Sequence, residues 1–175
     1  MRIQSLNQIN FKSVLPQKTG QKDGWDVLEK LTEADEKNRG MLHEQLVLLS
    51  KNGDNNILAL EHTPLDSSSV NEAFSFRLYK NNEDLNKDRA KKYMYPQNLI
   101  NKELLIDFYG DHSYKISYGQ LYSAKYYDNI PKEKTNILLK ILREITTKGT
   151  KEHSAIFGKT NFGELPKEIV SKFRL

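Results

Sequence analysis

Apolar positions along this chain follow two spacings, and the switches between them divide it into helices and strands. Trp25, Leu28, Leu31, Ala34, Leu42, Leu46 and Leu49 recur at helical intervals. Asp23 can cap the start of that stretch, and Asn52 with Gly53 supplies the stop. Gly40 falls inside it and predicts a split into two helices there, because a glycine in a helix interior costs about 1 kcal/mol relative to alanine. The compact run Ile57, Leu58, Ala59, Leu60 then predicts a well-buried strand over residues 56–62. Phe74, Phe76 and Leu78 alternate with Ser75, Arg77 and Tyr79, the period of a strand with one face in the core, over residues 73–80. A short, weakly amphipathic helix on Leu85, Arg89 and Tyr93 is expected to end before Pro96.

The strongest local signal is a hairpin. The strand-like runs 104–109 and 112–118 flank Gly110 and Asp111, and Gly at the first central position of a two-residue turn takes the positive φ that strand twist demands. In that register Tyr109 pairs with His112, Asp107 with Tyr114, and Leu105 with Ile116. Residues 121–127 suggest one or two helical turns. A clear helix follows Pro131, with Ile137, Ile141 and Ile145 joined by Leu138 and Leu142, and ends at Lys148 and Gly149. Four strand candidates spaced unevenly among helices predict an α+β fold: a mostly antiparallel sheet of three to four strands packed against helices. Regular strand–helix alternation is missing, which argues against a doubly wound nucleotide-binding fold. The expected organisation is a flexible leader over 1–22, a single α+β domain over 23–149, and a partly ordered tail over 150–175 with a short helix from Pro166.

Composition narrows the function classes. At 175 residues the chain is long enough for one domain with a real core, and 37% hydrophobic against 29% charged residues describes a polar globular protein. Cysteine is absent, so disulfide scaffolds, Cys-based zinc sites and thiol nucleophiles drop out. No apolar run has the length of a membrane-spanning helix, and the first dozen residues lack the apolar stretch of a secretory signal. A cytoplasmic location is expected, with export without a cleaved signal peptide as the alternative. The net charge of +4 is mild and the lysines are interleaved with acids. A protein partner is therefore expected ahead of a nucleic acid, whose binders gather Lys and Arg on one face.

Most motif fragments fail on spacing. Gly158-Lys159-Thr160 copies the end of a phosphate-binding loop, but the glycine required five positions earlier is His153. His43-Glu44 begins like a zinc-protease helix, yet the second histidine would stand at Val47. No metal site and no cofactor is expected. The hairpin offers one constellation: Asp107, His112 and Tyr114, with Tyr109 beside them, supply the side-chain types of general acid–base chemistry. Tyr118, Tyr122 and Tyr126 fall at helical spacing next to Lys125, an arrangement that can stack bases and hold phosphates.

The stretch from Met1 to about Gln21, with scattered apolar residues from Ile3 to Leu15, then Pro16 and Gly20 and no sustained period, resembles the short Asn- and Gln-rich leaders of bacterial proteins and the uncleaved polar leaders of type III exported proteins. Together these features predict a bacterial-type, non-enzymatic binding or protein-interaction domain. Two alternatives stand beside it: a hydrolase or nuclease using Asp107, His112 and Tyr114, and an exported effector or toxin.

Overall fold

The structure is a computed structural model that describes residues 23–50, 56–63, 71–91, 96–109, 113–119, 124–127 and 134–158. Asp23 caps the first helix, α1 (Gly24–Thr32), with its carboxylate accepting the Trp25 amide at 3.0 Å. The Trp25 indole donates to the Leu58 carbonyl at 3.1 Å, which seats α1 against the first strand. That seat requires glycine at position 24, because a Cβ there would lie 2.5 Å from the Leu60 carbonyl oxygen. The second helix, α2 (Glu36–Ser50), starts where Asp35 accepts the Lys37 amide at 2.9 Å. The stretch therefore does split in two, but at a capping aspartate and not at Gly40, which lies inside α2.

Among the described residues five strands follow in a simple antiparallel meander, β1 (Ile57–Thr63), β2 (Asn71–Tyr79), β3 (Leu104–Tyr109), β4 (Tyr114–Tyr118) and β5 (Ala124–Tyr127). The sheet packed against helices confirms the α+β expectation and adds one strand to it. β5 occupies the stretch expected to form helical turns, so the tyrosine stripe predicted at helical spacing is not a helix face. A short helix, α3 (Asn82–Ala90), capped by Asn81, lies between β2 and β3. After the sheet come α4 (Lys134–Thr146) and α5 (Lys151–Phe157).

Register decides which side chains share a face. Leu60 pairs with Phe76, Phe76 with Leu104, and Leu104 with Tyr118. This row and its neighbours, Phe74, Ile106 and Ile116 among them, form one core with Trp25, Leu28, Leu46, Leu142, Ile145 and Ile156 from the helices. α5 belongs to that core, so the packed unit runs past the boundary expected at Gly149. On the opposite, second face, Leu85 of α3 covers Ile57, Ala59 and Tyr79 in a smaller cluster.

The β3–β4 hairpin differs from its predicted register by one residue. Ile106 pairs with Ile116, Asp107 with Lys115 and Phe108 with Tyr114, and the Tyr109 amide donates to the Ser113 carbonyl at 2.9 Å. Residues 110–112, not two turn residues, connect the paired ends. A slip of one exchanges faces for every side chain of the strand. No helix among the described residues is long and apolar enough to cross a membrane. The leader 1–22 and the tail helix expected from Pro166 lie outside the described residues.

Candidate functional site

On the second face the register builds rows across the sheet. Thr63, Ala73, Asp107 and Lys115 form one, and Glu61, Ser75, Leu105 and Ser117 form the next. Ala73 and Ser75 are small, and Ser75 is buried. Two ion pairs order this surface. Arg89, reaching over from α3, meets Glu61 at 2.7 Å. Glu103, just before β3, accepts the Ser75 hydroxyl at 2.6 Å and lies 3.4 Å from the Arg77 Nε.

Asp107 is the exception. Half-buried, its carboxylate makes no hydrogen bond or ion pair within the described residues. Burial pushes its carboxyl above the usual aspartate range, Lys115 across the strand pair partly offsets that, and Glu103 adds to it. Leu105 and Tyr109, two positions away on either side, are half-buried on the same face. The result is a partly desolvated carboxylate flanked by an aliphatic and an aromatic side chain.

The residues predicted to act together are largely separated. Asp107 lies on the second face, whereas Tyr114 pairs with Phe108 on the helix-covered face and packs against the core. His112 lies outside the described residues, as does Tyr122. The Tyr118 hydroxyl donates to Glu152 of α5 at 2.5 Å, also on the helix side. Register sets Lys125 opposite Ile116 and Tyr126 opposite Lys115 in β5. The acid–base constellation on Asp107 and Tyr114 is thus not assembled, because its assumed register is one residue off. Of the predicted residues, Asp107 and Tyr109 share the second face, and register sets Tyr126 in the Asp107 row beyond Lys115.

A second polar cluster has no counterpart in the sequence reading. Where the helix-covered face meets the end of the sheet, His62 Nε2 donates to Glu72 at 2.9 Å, and Lys134 at the start of α4 pairs with the other carboxylate oxygen. The His62 ring packs 4.6 Å from Phe74, and the Lys134 ammonium lies 5.8 Å from the Phe108 ring centre. Burial raises the Glu72 pKa, but hydrogen bonds from Lys134 and His62 outweigh it and hold the carboxylate below its ordinary range. The alternation Leu58, Leu60, His62 and Glu72, Phe74, Phe76 puts these residues on the core face, but only cross-strand register brings them together. The cluster ties the β1–β2 end to α4. Among the described residues no group of His, Asp and Glu is arranged to hold a metal ion. Comparison with protein-family models, curated proteins and solved structures finds no match to this chain.

Proposed function

We propose that this chain is a non-enzymatic protein-interaction domain that docks its partner on the second face of the sheet, with Asp107 receiving a basic side chain of that partner. The observation that carries this reading is the contrast between neighbours: Glu61 and Glu103 are matched by Arg89 and Arg77, whereas half-buried Asp107 has no ion pair among the described residues. A guanidinium from outside would supply the charge-assisted hydrogen bonds that this carboxylate lacks. Leu105 and Tyr109 add the apolar and aromatic contact on which protein partners anchor. Phosphate backbones suit this face poorly, since its cations Arg89 and Arg77 are committed to Glu61 and Glu103 and Lys115 stands opposite Asp107.

The experiment is native affinity capture with the wild type and the variants Asp107→Asn and Asp107→Arg, followed by hydrogen exchange of the captured complex. Charge reversal should weaken capture by about tenfold or more, the neutral variant should weaken it less, and protection should appear on β3 and β4. Unchanged capture by Asp107→Arg, with its circular dichroism intact, overturns the reading. Protection confined to another surface does the same.

A further inference from the structure

At the end of β3 away from Tyr109, a cavity of about 530 Å³ opens between the segment before β3, the end of β4 and α5. Its size lies within the roughly 300–1,000 Å³ typical of small-molecule sites. The walls are tied together by hydrogen bonds. The Lys102 amide donates to the Ala155 carbonyl at 3.1 Å, the Asn101 side-chain amide to the Ile156 carbonyl at 2.9 Å, and the Tyr118 hydroxyl to Glu152. Gly158 closes one rim at φ 75°, and a Cβ there would stand 2.9 Å from the Asn101 side-chain oxygen, so the close approach of the two walls depends on that glycine.

Three hydrogen-bond donors belong to residues of this lining. The ammonium groups of Lys102 and Lys151 and the hydroxyl of Ser154 make no hydrogen bond or ion pair among the described residues, and each can donate; the Asn101 side-chain oxygen, whose amide is spent on Ile156, is an acceptor beside them. The carboxylate of Glu152, next to Lys151, accepts the Tyr118 hydroxyl. An open cavity edged by two exposed cations and a hydroxyl that are unengaged among the described residues favours an anion that can accept several hydrogen bonds at once.

We propose that this cavity binds a small phosphate-bearing molecule through Lys102, Lys151 and Ser154. The site is separate from the Asp107 surface and does not rest on the protein-docking reading. The test titrates the ¹⁵N-labelled full chain with inorganic phosphate, using sodium chloride at matched ionic strength as the control. Phosphate should shift the amides of Lys102, Lys151, Ser154 and Gly158 saturably, and the double variant Lys102→Ala/Lys151→Ala should weaken binding by about tenfold or more while leaving the rest of the spectrum unchanged. Equal shifts with chloride, no saturable shift with phosphate, or full binding by the double variant each overturn the proposal. Ser154→Ala supplies a milder second variant, expected to weaken phosphate binding without removing a charge; unchanged binding there removes the hydroxyl from the site and overturns the three-residue assignment.

Discussion

Asp23 shows how one residue can serve local structure and tax stability together. Its carboxylate caps α1, yet only one oxygen is engaged, and the other is buried without a hydrogen-bond partner. Burial pushes its pKa from the ordinary 3.8 up to about 6, against the opposing effects of the Trp25 amide and Arg89. Between those two values the folded chain holds a proton that the unfolded chain has released. The carboxyl therefore contributes stability that is complete below pH 3.8 and lost as pH rises through about 6. Asp23→Asn keeps an oxygen for the Trp25 amide and removes the buried charge. The variant should be more stable than the wild type at pH 7 by about 1 kcal/mol, after allowance for solvent screening, and the advantage should shrink toward pH 4. Urea unfolding at the two pH values measures this, and a constant difference would show that Asp23 does not titrate in that range.

At the scale of elements, alternation and periodicity were legible in the longer runs: β1, β2, β3, β4, α3 and α4 all lie where their apolar spacing places them, whereas the short α5, which also enters the core, and β5 did not show. Contacts between elements were less legible, because register depends on loop length, and Gly110-Asp111 suits a three-residue connection as well as a two-residue turn. That single step moved Asp107 away from Tyr114 and beside Lys115, and with it the candidate site. Similarly, the His62–Glu72–Lys134 cluster joins residues of modest individual signal through pairing across strands. The break between α1 and α2 followed Asp35 and not Gly40, since a cap supplies hydrogen bonds while an isolated glycine only weakens a helix already held by packing. Gly40 is exposed, and a Cβ there would meet nothing within 4 Å. Gly40→Ala should accordingly stabilise the fold by about 0.5–1 kcal/mol through the unfolded chain's lost freedom. A destabilised variant in thermal melts would mean that α2 is strained at this point.

Over the whole molecule, the helices α1, α2, α4 and α5 share one core with a single sheet face, so the fold should unfold as one cooperative unit. The decisive element is α5. Thr150 caps it, accepting the His153 amide at 3.0 Å, while its own hydroxyl donates to the Glu144 carbonyl of α4 at 2.6 Å. His153 Nδ1 donates to the Ile145 carbonyl at 2.7 Å, and Ile156 is fully buried in the common core. An appendage would lose little when such a residue is truncated, whereas a core helix leaves a cavity that the surrounding layers cannot close. Ile156→Ala should therefore cost about 2–5 kcal/mol of global stability and lower the urea midpoint without changing the slope of the transition. A cost below about 1 kcal/mol, or a separate early transition reported by amides of α5 alone, would return the boundary of the folded unit to Gly149. Because α5 also forms a wall of the Lys102–Lys151 cavity, the same truncation should weaken phosphate binding only in proportion to the loss of folded protein, which separates its structural part from the role of the lysines.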